Sequence, residues 1–190
     1  MAKLASFLMF VVAFATFSHE IARALIPCPI PIDILLCQTT TVTKIRFYMH
    51  GSGVGGNETA YRIANSSITN QSPTMFGFLD IFDNLLTETP DPTSNTVGRM
   101  QGFFASADLN EFATYNSYNV YFTSGVYNGS TINIAGRDPV LSDNRELFVS
   151  GGTLYFRLAT GIVTLRTIPG DNVTTNTVFE YNVTVIHPIA

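Results

Sequence analysis

Between residues 42 and 186 no stretch repeats its apolar residues at i, i+3, i+4 and i+7 over three turns, which denies the chain a core built on helices. Alternation recurs instead. Val42–His50 (VTKIRFYMH) sets Ile45, Phe47 and Met49 against Lys44, Arg46 and Tyr48, the pattern of a strand with two unlike faces. Comparable segments follow at Thr59–Ile68, Met75–Leu85, Thr96–Ala107, Asn116–Ser124, Thr131–Ala135, Leu147–Ser150, Thr153–Thr167 and Thr177–Ile186, and the short Leu147 piece can fuse with its neighbour. Breakers separate them: the glycine-rich run GSGVGGN, Gln71-Ser72-Pro73, Pro90-Asp91-Pro92, Asn128-Gly129, Asp138-Pro139 and Pro169-Gly170-Asp171. Short strands without helices make a sandwich or a closed barrel. Aromatic residues on both faces suit a closed wall around an apolar interior, so the expected fold is all-β, an antiparallel β-barrel of eight or so strands.

The first 24 residues stand outside that pattern. A basic start at Lys3, an apolar run from Leu4 to Phe17 and the small-x-small site Ala22-Arg23-Ala24 read as a secretory signal peptide over 1–24. The run is shorter than the roughly 20 residues of a membrane span. Residues 25–41, with Pro27, Pro29 and Pro31 and a threonine run, read as an irregular lead-in, leaving 42–190 as one barrel domain. Cys28 and Cys37, the only cysteines, are placed for a small disulfide loop in an oxidising compartment. Six sequons, at Asn57, Asn65, Asn70, Asn128, Asn172 and Asn182, agree with a secreted glycoprotein.

The chain holds 10 basic and 14 acidic residues, and its Lys and Arg are scattered, which argues against nucleic acid or an anionic membrane as partner. His50 and His187 are alone in their neighbourhoods, so neither a metal nor another cofactor is expected. The absence of tryptophan removes the Gly-x-Trp feature that would support a lipocalin.

Charge, glycine and alternation converge on Tyr127–Gly161. Asn128-Gly129 is a hairpin signal with φ > 0 expected at both positions, and a strand follows from Thr131. Gly136 then opens a connection, RDPVLSDNR, that carries Arg137, Asp138, Asp143 and Arg145. Gly151-Gly152 closes the next strand, and TLYFRLATG begins another with Leu154, Phe156 and Leu158 on one face. Read locally, Asp138 is a turn residue before Pro139, and Arg145 pairs with Asp143 or Glu146.

Five collinear motifs give that stretch a context: FYMH at 47–50, FGFLDIFDN at 76–84, VGRMQGFFASA at 97–107, YNGSTINIAGRDPV at 127–140 and RELFVSGGTLYFRLATG at 145–161. In order and spacing they resemble the plant dirigent proteins, in particular the dirigent-like and pterocarpan synthase branch. The resemblance implies an eight-stranded antiparallel β-barrel of the dirigent / allene oxide cyclase type, secreted to the apoplast and assembled as a homo-oligomer, usually a trimer. It also implies stereoselective coupling of phenoxy radicals from monolignols such as coniferyl alcohol in lignan biosynthesis, with a separate laccase or peroxidase as radical source. The branch's alternative is ring closure of an isoflavonoid through a quinone methide, and a noncatalytic barrel of the cell wall is a third reading.

By the same resemblance Asp138 and Arg145 are the catalytic acid and arginine at the pocket mouth. A carboxyl group can pass a proton to or from a quinone methide's oxygens, and an arginine can hold the carboxylate or bind a phenolic oxygen. Tyr48, Phe104, Tyr121 and Phe122 are expected to line the pocket and stack on a phenylpropanoid ring. Of Asp80 and Asp83, which alternation places on opposite faces, Asp83 is expected to face inward. Two departures stand out: Gly51 replaces the acid usual after the FYxH motif, and Leu154 occupies a position usually held by glycine.

Overall fold

A computed structural model describes residues 39–53, 56–169 and 176–189. The segment read as a leader, the lead-in up to residue 38, Cys28, Cys37 and Asn172 lie outside the described residues.

Among the described residues nine strands form one antiparallel sheet: β1 (Thr40–Ser52), β2 (Ala60–Ala64), β3 (Leu79–Thr87), β4 (Thr96–Ser106), β5 (Ala113–Phe122), β6 (Thr131–Pro139), β7 (Arg145–Thr153), β8 (Thr160–Thr167) and β9 (Asn176–Pro188). Their order is β1-β9-β8-β7-β6-β5-β4-β3-β2, and β1 also pairs with β3, Tyr48 opposite Thr87 and His50 opposite Leu85. That pairing closes β1 and β3–β9 into an eight-stranded barrel. β2 lies along the rest of the β3 edge, with Tyr61 opposite Ile81 and Arg62 opposite Asp80.

Alternation decides what fills the barrel. Along β5, Thr114, Asn116, Tyr118, Val120 and Phe122 are buried while Tyr115, Asn119 and Tyr121 are exposed. One end is plugged by aromatic rings: Phe156 packs on Phe122 and Tyr127 with centroids 5.5 and 5.0 Å apart, and His187 lies edge-on to it at 5.3 Å. His187, fully buried, bonds Thr43 Oγ1 at 2.9 Å. Midway along, Phe47 stacks on Tyr181 at 5.3 Å and Phe82 meets Tyr118 edge-on at 5.6 Å. The other end stays open.

The structure differs from the sequence reading where local conformation overrides alternation. β1 begins at Thr40, inside the supposed lead-in. The segment expected from Met75 starts as a strand only at Leu79, because Met75 and Gly77 have φ of 54° and 86° and the chain turns there. Asn128-Gly129 is not a turn with two positive φ values: Asn128 has φ −48° and ψ 130°, Gly129 has φ 85°, and the Ser130 amide bonds the Tyr127 carbonyl at 2.9 Å, a type II turn. The strand expected from Thr153 begins at Thr160. Leu154–Phe156 forms a tight turn in which Phe156 is buried while Leu154 and Leu158 are 61% and 62% exposed, so the three share no face. Gly152 makes that turn possible, since a Cβ there would lie 2.5 Å from the Phe156 carbonyl oxygen. Finally, β6 runs through Asp138 to Pro139 and β7 starts at Arg145, so the charged connection shrinks to residues 140–144.

Candidate functional site

That shortening brings Asp138 and Arg145 together. They end β6 and begin β7, and both side chains turn into the open end of the barrel, where they are 3% and 5% exposed. The guanidinium grips the carboxylate with two parallel bonds, Nε to Oδ1 at 2.7 Å and Nη2 to Oδ2 at 2.6 Å. Asn116 Nδ2 donates to Oδ2 at 3.2 Å, Thr114 orients Asn116 through a 3.0 Å bond, and Arg145 Nη1 donates to Thr167 Oγ1 at 3.2 Å. The Arg145 guanidinium carbon stands 5.0 Å from the centroid of the Phe179 ring. Burial pulls the arginine's pKa down, but the hydrogen bonds and charge of Asp138 outweigh it, and the net shift is upward.

The pair borders a cavity of about 460 Å³, within the roughly 300–1,000 Å³ common for small-molecule pockets. Phe82, Phe104, Phe179 and Met100 supply apolar wall. Tyr118 and Tyr181, at its base, join hydroxyl to hydroxyl at 3.1 Å. Burial, the larger cause, pushes the Tyr181 phenol up to about 12, with the negative charge of Asp138 also raising it. The same burial lifts Tyr118 well above its ordinary value, reinforced by the repulsion an ionised Tyr181 would exert on it. Both therefore stay neutral hydrogen-bonding groups at any physiological pH.

Of the residues singled out from sequence, Asp138, Arg145 and Phe104 line this cavity. Asp83 does not: it lies on the outer face, bonded by Arg99 Nε at 2.7 Å and Gln101 Nε2 at 3.0 Å, and Asp80 faces inward in its place. Tyr121 also points outward, 39% exposed, and Phe122 belongs to the aromatic plug at the closed end. Tyr48 alternates with the inward-facing Phe47 and Met49 and sits on the opposite side of β1. So does His50, whose Nε2 bonds Thr87 Oγ1 at 2.7 Å and whose pKa burial lowers, opposed in part by the charge of Asp91. Gly51 does line the cavity, and a Cβ there would meet Asn84 Nδ2 at an ordinary 3.6 Å. Asn116, Tyr118, Phe179 and Tyr181 went unnoticed in the sequence. Period-two parity would have found two of them, because Asn116 and Tyr118 share a face with the apolar Val120 and excluding Tyr121 follows from including Phe122.

A closed antiparallel barrel with a buried acid–arginine pair inside an aromatic-walled pocket defines a class of small-molecule-holding proteins, and comparison with known proteins narrows it. The family model described as dirigent-like protein matches residues 42–186. Dirigent protein 21 of Arabidopsis thaliana is 39% identical over 146 residues, 77% of each chain, and dirigent protein 11 of the same plant is 40% identical over 146 residues, 77% of this chain and 75% of its own. Among solved structures, the pterocarpan synthase dirigent protein GePTS1 superposes with a TM-score of 0.73 at 28% identity, covering 82% of this chain and 95% of its own. PsPTS1, another pterocarpan synthase dirigent protein, gives 0.70 at 29%, covering 79% and 97%. The chain belongs to the dirigent family.

Proposed function

We propose that the barrel takes a phenylpropanoid-derived phenol into its open end and fixes the face on which it reacts, directing the coupling of phenoxy radicals made from a monolignol such as coniferyl alcohol by a separate oxidase. The observation that carries this reading is the bidentate Asp138–Arg145 pair bordering an apolar cavity. In such coupling the oxidase removes an electron and a proton from each phenol, and two radicals form one carbon–carbon bond, leaving quinone methides. A side-chain hydroxyl then adds to the quinone methide carbon, and its proton ends on the former carbonyl oxygen. In this reading Asp138 accepts from that hydroxyl, and Arg145, with N–H groups beyond those committed to Asp138 and Thr167, holds the oxygen that becomes negative.

A second reading, ring closure of an isoflavonoid alcohol through a quinone methide with loss of water, is supported by the similarity to two pterocarpan synthase dirigent proteins. It uses the same groups without an oxidant. Secretion to the apoplast agrees with the apolar leader and with the exposure of Asn57, Asn65, Asn70, Asn128 and Asn182. Homo-oligomeric, trimeric assembly agrees with an outward apolar row, Tyr61, Ile81 and Phe103, across three neighbouring strands.

The test incubates purified protein with coniferyl alcohol, with and without a one-electron oxidant, and separately with an isoflavanol, and resolves the products on a chiral column. Enantiomeric excess only with oxidant supports coupling, and conversion of the isoflavanol without oxidant supports ring closure. Racemic or absent product in every arm would sink both. Asp138→Ala should abolish the selectivity seen.

A further inference from the structure

The cavity has a second charged pair that the reading above does not use. Asp80 on β3 and Arg62 on β2 are register partners and both line the lumen. The Arg62 guanidinium donates to both Asp80 oxygens, by Nε to Oδ1 and by Nη2 to Oδ2 at 3.3 Å, and Nη1 donates to Asn65 Oδ1 at 3.1 Å. Its carbon sits 4.0 Å from the centroid of Phe78, which meets Phe104 edge-on at 5.8 Å. A partly exposed cross-strand pair adds little to holding two strands together. Lining the cavity, it has a carboxylate with acceptor positions to spare and a guanidinium with unused N–H groups.

Its placement around the barrel identifies what it can meet. In the closed order β3 and β7 are four strands apart in either direction, so Asp80 and Arg145 stand on opposite walls of one cavity. Each charged pair has aromatic partners, Phe78 and Phe104 on one wall and Phe179 on the other. We propose that Asp80 and Arg62 form a second polar subsite that binds the far hydroxyl of a two-ring phenol whose first oxygen lies at Arg145, so that the pocket selects ligands hydroxylated at both ends. This rests on the Asp138–Arg145 pair binding a phenol and adds the ligand's length and its second anchor.

Isothermal titration calorimetry with 4,4′-dihydroxybibenzyl and 4-hydroxybibenzyl tests it on the wild-type chain and on Asp80→Asn and Arg62→Met. The diphenol should bind wild type roughly tenfold more tightly than the monophenol, the effect of one added charge-assisted hydrogen bond. Either substitution should bring the diphenol down to the monophenol's affinity while leaving the monophenol within about twofold of its wild-type value, which also reports that the variant is folded. Equal wild-type affinities for the two probes, or an undiminished preference in both variants, would overturn the second subsite and leave the Asp138–Arg145 site standing. Loss of the monophenol as well would overturn it by making the pair a support of the pocket's shape. Failure of wild type to bind either probe would overturn the phenol pocket and the subsite together.

Discussion

Asp138→Ala removes an ion that Arg145 needs, and the cost can be worked from the site. Arg145 is 5% exposed and would keep only Thr167 Oγ1 and the face of Phe179 as partners. Asn116 would lose its 3.2 Å acceptor as well. Removing one member of a buried pair leaves an uncompensated charge and costs about 3–5 kcal/mol, a large share of the roughly 5–15 kcal/mol that holds a domain together. For a barrel of this size the melting temperature should fall by roughly 6–20 °C. The double variant Asp138→Leu with Arg145→Leu removes both charges and should recover most of that loss, because neither ion is then left without a partner. Urea titration of wild type, Asp138→Leu, Arg145→Leu and the double variant closes the cycle, with the shared slope checking that only stability has changed. A loss below about 1 kcal/mol for Asp138→Ala, the scale of exposed surface pairs, would refute the claim that the pair is buried and mutually dependent. So would a double variant no more stable than the worse single one.

Three further outcomes are expected. Raised phenol pKa values mean that the folded state holds these protons more tightly than the unfolded chain, so the contribution of Tyr181 is complete below pH 10 and fades as pH climbs toward about 12, and that of Tyr118 is likewise present below its unfolded pKa and lost in alkali. Absorbance at 295 nm should show two tyrosines titrating only as the barrel unfolds in alkali, and ionisation of all eight near pH 10 with the fold intact would contradict the buried hydroxyl pair. Gly152→Ala puts a Cβ 2.5 Å from the Phe156 carbonyl oxygen and 2.7 Å from that of Thr131, and should cost about 1–3 kcal/mol in urea unfolding; a neutral result would mean that the turn after β7 moves freely. Gly51→Asp meets only ordinary contacts with Asn84 and Met49, so urea unfolding should change by less than about 1 kcal/mol while stereoselectivity rises through an added acid beside Asp138 and Asp80 in the pocket. Unchanged selectivity would mean that this pocket works without an acid there.

The all-β class, the barrel and the family were legible in the sequence because each rests on a short-range signal: two-residue alternation, breakers between segments, and motifs in fixed order. Side-chain direction followed only where the parity of a strand was carried through, which excludes Tyr121 once Phe122 faces in. Asp80 and Asp83 show the limit of that rule, since alternation separates them without saying which face is the inside. Barrel closure through β1 and β3 settles it, putting Asp80 in the lumen and Asp83 beside Arg99 outside. Read locally, Asp138 and Arg145 are residues of a surface turn seven positions apart, and only the family resemblance set them at the pocket mouth. Extension of β6 through Pro139 and the start of β7 at Arg145 fold that separation into a 2.6 Å contact. Local chemistry thus wrote the strands and their breaks, whereas the inside of the barrel, its two opposed charged pairs and its aromatic plug exist only once residues far apart in the chain share one closed wall.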